Sequence, residues 1–359
     1  MRQTHSFSHT LRFTFSAGTS RGVMTTRPTH YLVLEQNGRR GVGECAPLAG
    51  LSEDDVPNLP MMIDLVRQRL EKRPVPRSAQ EAFQWVQDAV PANLPSVRFG
   101  AETALLDLLH GGRRLLFPSV MHPDFTPVPI NGLVWMGDPA FMQQQIDDKL
   151  EQGFRCIKLK IGAIDFSKEL RLLQGIRKRY SRDMVSLRVD ANGAFSPAKA
   201  MDKLKRLAKL DVHSIEQPIA PGQPEAMAAL CRNSPVPIAL DEELIGVHTS
   251  KERAQLLDTI QPQYIILKPT LLGGLAAADD WVMLAENRGI GWWVTSALES
   301  NVGLNAIAQW VSLYEPTVPQ GLGTGQLYHN NVDAPLYIDR GYLHYDPAGA
   351  WDESFFNPR

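Results

Sequence analysis

The chain has 359 residues, 43% of them hydrophobic, with 37 basic side chains against 39 acidic ones for a formal net charge of −2. That balance, without a Lys/Arg run or an acidic tail, argues against a nucleic-acid partner. No apolar run approaches the roughly 20 residues needed to cross a bilayer, so no membrane partner is expected either.

Residues 1–10 lack the apolar core of a signal peptide. Cys45, Cys156 and Cys231 are too few and too scattered for a disulfide framework or a zinc site. A reducing, cytoplasmic setting is the expectation. Leu11-Arg-Phe-Thr-Phe15 alternates apolar and polar residues and predicts a half-buried strand. Tyr31-Leu-Val-Leu-Glu35 and Gly41-Val-Gly-Glu-Cys45 flank Asn37-Gly38, the signature of a two-residue hairpin. Helical periodicity follows over residues 56–70 and 79–109, which makes residues 1–125 an α+β unit. Its last stretch, 111–125, is rich in Gly, Pro and Arg and reads as a linker.

From residue 126 onward strand and helix patterns alternate. Strands are predicted at 127–134, 155–160, 184–190, 212–216, 236–241, 262–268 and 291–296, with helices such as 139–152, 166–179, 197–210 and 275–287 between them. An eighth strand is weak, with 318–322 the best candidate, and residues 323–359 are expected to return to the first unit. Such alternation builds a parallel (β/α) barrel, here over 126–322.

Five charged residues end successive predicted strands at intervals of 25 to 30 residues: Lys160, Asp190, Glu216, Asp241 and Lys268. In a (β/α) barrel, residues at the carboxyl ends of strands share one mouth. Capping and turn roles explain any one of the acids, but not three at the same place in consecutive units. Three converging carboxylates repel one another unless a cation joins them. Asp190, Glu216 and Asp241 are therefore the candidate ligands of a hard divalent ion, Mg²⁺ or in its place Mn²⁺. His213, three residues before Glu216, falls on the opposite strand face and is not counted as a ligand.

Lys158 and Lys160 are two apart, so both face the barrel interior. An interior ammonium is costly unless paired or functional. The alternative to a catalytic role is a structural ion-pair network with the carboxylates. Lys268 comes from four strands further round and is expected opposite Lys160. Opposed lysines beside a divalent ion suit proton abstraction next to a carboxylate, because the ion stabilises the enediolate as its charge develops. A lysine base needs its pKa to fall from about 10.4 towards ~7–8, and a second ammonium, Lys158, pushes that way. Arg188 shares the inward face with Asp190 and either touches substrate or braces the ligands, with an internal salt bridge as the alternative. Asn192 and Glu242 either orient the ligands or cap helices.

The pattern Lys158-x-Lys160, Asp190-x-Asn192, Glu216-Gln-Pro218, Asp241-Glu242 and Lys268 resembles the enolase superfamily, and within it the muconate-lactonising subgroup. The resemblance covers almost the whole chain. It implies a modified TIM barrel, (β/α)7β, with an N-terminal α+β capping domain completed by residues 323–359. The seventh strand ends Thr295-Ser296-Ala297 without histidine, unlike mandelate racemase relatives, and Gly321-Leu-Gly-Thr-Gly325 lacks the Asp-x-Asp of dipeptide epimerases. Residues 295–308 and 321–327 resemble the o-succinylbenzoate synthase family. That resemblance implies a small carboxylate substrate and a Mg²⁺-dependent syn dehydration in menaquinone biosynthesis. Lys160 would be its acid/base and Lys268 an electrostatic partner. On that resemblance Ser296 and the 321–325 backbone either receive a second substrate carboxylate or form a plain tight loop, the reading slightly preferred, and residues 16–27 and 43–51 would close the mouth. An N-acylamino acid racemase, using Lys160 and Lys268 as opposed bases, is the alternative on the same residues. A Schiff-base aldolase on either lysine would leave the three carboxylates unexplained.

Overall fold

The computed structural model describes residues 4–19, 22–121 and 125–357. Residues 20 and 21 of the predicted mouth segment, 122–124 of the predicted linker and 1–3 of the N-terminal stretch lie outside the described residues.

The first sheet is antiparallel, in the order β1 (His5–Thr19), β2 (Gly22–Gln36), β3 (Arg39–Cys45). The β2–β3 turn is the two-residue hairpin expected: Asn37 and Gly38 both take positive φ, 53° and 71°, a twist that matches the flanking strands. Three helices cover one face, α1 (Leu59–Glu71), α2 (Ala79–Ala89) and α3 (Pro95–Leu109). Residues 79–109 are thus two helices rather than one. Pro91 and Pro95 cannot donate the amide hydrogen bonds that would carry a helix through. Helix α3 lies so close to β3 that a Cβ on Gly43 would overlap the Gly100 carbonyl.

The strand 127–134 resolves into two pieces. β4 (Val128–Pro129) turns away to pair with a C-terminal strand, and β5 (Gly132–Val134) becomes the first stave of the barrel. The parallel sheet then runs through β6 (Cys156–Lys160), β7 (Ser186–Asp190), β8 (Ser214–Glu216), β9 (Ile238–Leu240), β10 (Tyr264–Leu267) and β11 (Gly291–Val294) in chain order. Gln320 and Gly321 close the ring as an eighth stave, through parallel bridges Ile130↔Gln320 and Thr295↔Gly321. The amides of Asn131 and Gly321 seal it, donating to Gln320 at 2.8 Å and Val294 at 2.7 Å.

Strand alternation decides what faces where. On β6 and β7 the side chains of Ile157, Leu159, Leu187 and Val189 are buried in the main core, whereas Lys158, Lys160, Arg188 and Asp190 take the alternate positions that point into the barrel. Each fully buried aliphatic side chain contributes about 1.5–3 kcal/mol. That packing is what holds four charged groups inward.

The C-terminal chain touches both parts. β12 (Leu336–Asp339) and β13 (Tyr342–Tyr345) extend β4 into a three-stranded sheet. The turn Glu353–Phe356 docks against the first sheet, where Arg114 pairs with Glu353 at 2.9 Å and lies 4.7 Å from the Phe356 ring centre. No helix among the described residues is long and apolar enough to cross a membrane.

Candidate active site

The five predicted charges and Lys158 come together at the carboxyl ends of staves β6 to β10. Asp190, 1% exposed, accepts from Lys160 Nζ at 3.0 Å and lies 3.3 Å from Lys158 Nζ through the same Oδ2. Lys158 also pairs closely with Glu216, and Lys268 with Asp241. Asn192 binds the cluster from the loop after β7. It accepts from Lys160 at 3.0 Å, donates to Glu242 at 2.9 Å, and its amide meets Asp190 Oδ1 at 3.0 Å. These last bonds require the backbone of Asn192 to turn to φ 41°. Asparagine tolerates that region better than most residues.

Burial pushes the Asp190 carboxyl up, but Lys160, Lys158 and Lys268 overcome it and hold this group far below the usual carboxylate range. Burial would lower Lys158, yet Glu216 and Asp190 raise it on balance. At Glu216 burial and the neighbouring Asp190 push the carboxyl well up, opposed by Lys158. Glu216 Oε1 is buried with no hydrogen-bond partner. The donor set is all carboxylate oxygen, which fits a hard divalent cation and not zinc. Among the described residues, no three acidic, His or Cys side chains converge closely enough to hold an ion as they stand. The ammonium of Lys158 lies between Asp190 and Glu216, and that of Lys268 is paired with Asp241.

A cavity of about 400 Å³ opens over the cluster, lined by Lys158, Lys160, Asp190, Asn192 and Lys268. Its roof comes from the first sheet and its loops: Met24 and Leu48, within the predicted mouth segments, and Phe15 beside them. Trp135 and Leu298 add apolar wall. The roof is tied down by Arg27, which donates to the carbonyls of Ala46 at 2.7 Å and Leu298. Leu298 itself takes φ 67°, an uncommon conformation for a branched side chain. It is held there by Arg27, by Tyr328 Oη at 2.7 Å and by Ser296 Oγ on its amide at 3.0 Å. Glu44 of β3 completes the lock, accepting from the amides of Ser300 at 2.8 Å and Gly303 at 2.9 Å at the start of helix Asn301–Ser312.

The less central expectations fare unevenly. Arg188 is inside the barrel but below the cluster, donating to the Pro319 carbonyl at 2.7 Å and stacking 4.0 Å from the Trp293 ring centre. Its partners among the described residues are a carbonyl and a ring, so no internal salt bridge is formed there. His213 sits in the same lower layer against Tyr264 and Trp293, away from the carboxylates. Ser296 lines the cavity, yet its hydroxyl donates to Glu299 and accepts from Thr324 Oγ1 at 2.8 Å and from the Leu298 amide. In this arrangement the one Ser296 hydroxyl proton is given to Glu299. Sequence reasoning missed Glu299, which also accepts from Thr270 Oγ1 and so joins the loops after staves six and seven. It missed Gln217 as well, although Glu216-Gln-Pro218 stood out. Its side chain links β8 to β9 by donating to Glu243 at 3.0 Å and accepting from the Asp241 amide at 3.3 Å.

A family model described as enolase C-terminal domain-like matches residues 142–349. The o-succinylbenzoate synthase of Desulfotalea psychrophila is 50% identical over 355 residues, 93% of this chain and 96% of that protein. The crystal structure of MenC from the same organism superimposes with a TM-score of 0.85 at 46% identity, covering 96% of this chain and 99% of that one. More distantly, the N-succinyl-L-Arg/Lys racemase of Bacillus cereus is 25% identical over 273 residues, 74% of this chain and 69% of that protein.

Proposed function

Because the chain belongs to the enolase C-terminal domain-like family, we propose that it is an o-succinylbenzoate synthase of menaquinone biosynthesis working in the cytoplasm. Its reaction would be the syn dehydration of 2-succinyl-6-hydroxy-2,4-cyclohexadiene-1-carboxylate to 2-succinylbenzoate. The observation that carries this reading is the half-identity to a synthase along nearly the full length of both chains.

The chemistry follows from the mouth. Lys160, as the free amine, takes the proton from the carbon bearing the ring carboxylate. The electron pair left behind moves into the ring, the hydroxide departs from the same face, and the Lys160 ammonium returns its proton to it as water. One lysine is thus base and then acid, which is why the elimination is syn. Lys268 stands across the ring with its ammonium charge, a cation–π and electrostatic partner for the developing enediolate. Asn192 keeps Lys160 aimed while Asp190 holds its charge near. The apolar roof of Phe15, Met24 and Leu48 limits water and so strengthens these electrostatic effects. Asp190, Glu216 and Asp241 would hold a divalent cation, Mg²⁺ by preference. Such an ion supplies positive charge to the substrate carboxylate as the enediolate forms.

A racemase acting on N-succinyl amino acids is the second reading, favoured by the likeness to the B. cereus enzyme and by the presence of two opposed lysines. One assay separates them. Purified protein with Mg²⁺ is given the cyclohexadiene and, in parallel, N-succinyl amino acids in deuterated water. Rapid loss of diene absorbance with slow α-proton exchange supports the synthase. Fast exchange with negligible dehydration overturns it.

A further inference from the structure

Lys160 ends stave β6, and the loop that follows is held by a buried carboxyl group that the mechanism leaves unused. Glu169 lies on helix Phe166–Arg179 and is 2% exposed. It shares the buried stripe of that helix with Leu172, Leu173 and Ile176, where the spacing favours an apolar side chain. Burial pushes its carboxyl up, opposed by the amides of Gly162 and Ile164 and by the Lys203 ammonium. Its Oε2 is enclosed without a hydrogen-bond partner. A carboxyl so placed costs stability unless it is put to use. The use is at Oε1, which accepts from the amide of Gly162 at 2.6 Å.

Gly162 is two residues past Lys160, at the point where two loops of the mouth meet. Its φ is 99°, a conformation glycine adopts without penalty, and an added Cβ would lie 2.5 Å from the Cβ of Ala194. Ala194 belongs to the loop after β7, the same loop that carries Asn192. Between them the amide of Ile161 donates to the Asp190 carbonyl at 2.7 Å. Gly162 and Ala163 are exposed, so this stretch has little burial of its own to order it.

We propose that Glu169 is a positioning residue for Lys160: by fixing Gly162 against Ala194 it sets where the lysine meets Asn192 and Asp190. It rests on the assignment of Lys160 as the group that moves the proton, which the synthase and racemase readings share. Without the acceptor the loop lifts, and Lys160 Nζ loses its two contacts at 3.0 Å.

Two variants test it. Glu169→Leu completes the apolar stripe and removes the acceptor, whereas Glu169→Gln keeps an oxygen for the Gly162 amide. Each is assayed with Mg²⁺ on the diene and for α-proton exchange of N-succinyl amino acids, with rates counted per 2-succinylbenzoate site found by calorimetry. Glu169→Leu is expected to lower kcat by about 10- to 100-fold while KM and the Kd for 2-succinylbenzoate stay within about threefold. Glu169→Gln should recover most of that loss. Unchanged kcat in Glu169→Leu overturns the proposal, as does a Gln variant no better than the Leu one. A crystal structure of Glu169→Leu decides it without turnover. Lys160 Nζ displaced from Asn192 and Asp190 is expected, and both contacts kept at 3.0 Å would contradict it. A wild type that exchanges α-protons but leaves the diene intact defeats the synthase reading alone, and the role of Glu169 is then read on exchange.

Discussion

Two layers of the barrel interior, an aromatic one below and a charged one above, hold their polar groups in different ways. In the lower layer Arg188 is stacked on Trp293 and bound to a carbonyl, while His213, Tyr264 and Trp293 pack ring against ring, the last two at 5.3 Å. In the upper layer Lys158, Lys160 and Lys268 meet Asp190, Glu216 and Asp241. Alternation puts a polar group inward at both levels. The partners differ: a ring and a carbonyl hold the lower cation, and opposite charges hold the upper ones. On the proposed reading, the lower layer is packing and the upper layer is machinery.

The largest effect is expected at the upper layer. Lys160→Ala should lower turnover by about 10³- to 10⁴-fold with the thermal unfolding midpoint nearly unchanged, as steady-state assay and calorimetry would read. Retained turnover would break the distinction between the layers. Asp190→Asn is next: the Mg²⁺ concentration for half-maximal rate should rise by about 10- to 100-fold, measured by metal titration. An unchanged titration would remove Asp190 from the ligand set. Trp293→Ala should show the reverse pattern, losing about 3–5 kcal/mol in urea unfolding while kcat at a permissive temperature stays within a few-fold.

The smallest effect sharpens the lower layer. Burial, with Arg188 nearby, lowers the His213 pKa from 6.5 to about 4. Between those values the unfolded chain binds the extra proton, so stability is full above pH 6.5 and declines as pH falls toward 4. His213→Gln should flatten that part of the stability–pH curve and leave the rate at neutral pH alone. A curve with unchanged slope would contradict it.

Much of this was readable before any coordinates, because two periodicities carry it. The helix predicted at 166–179 is the helix found, Phe166–Arg179, and seven staves fall within the predicted runs. The eighth was faint since only Gln320 and Gly321 form its bridges, too short a run for alternation to register. The charged stave ends were legible because charge in an otherwise apolar strand has few explanations. What lay hidden depends on turns. Glu299 reaches Ser296 only because Leu298 takes a left-handed conformation between them.

We propose that the carboxylates of three successive staves grip one ion once Lys158 moves aside. Crystals soaked in Mn²⁺ and read by anomalous scattering test it most directly. A single strong peak coordinated by Asp190, Glu216 and Asp241, with Lys158 withdrawn from Glu216, is the expected result. A map with no peak there, and Lys158 still seated between Asp190 and Glu216 at saturating metal, would contradict it.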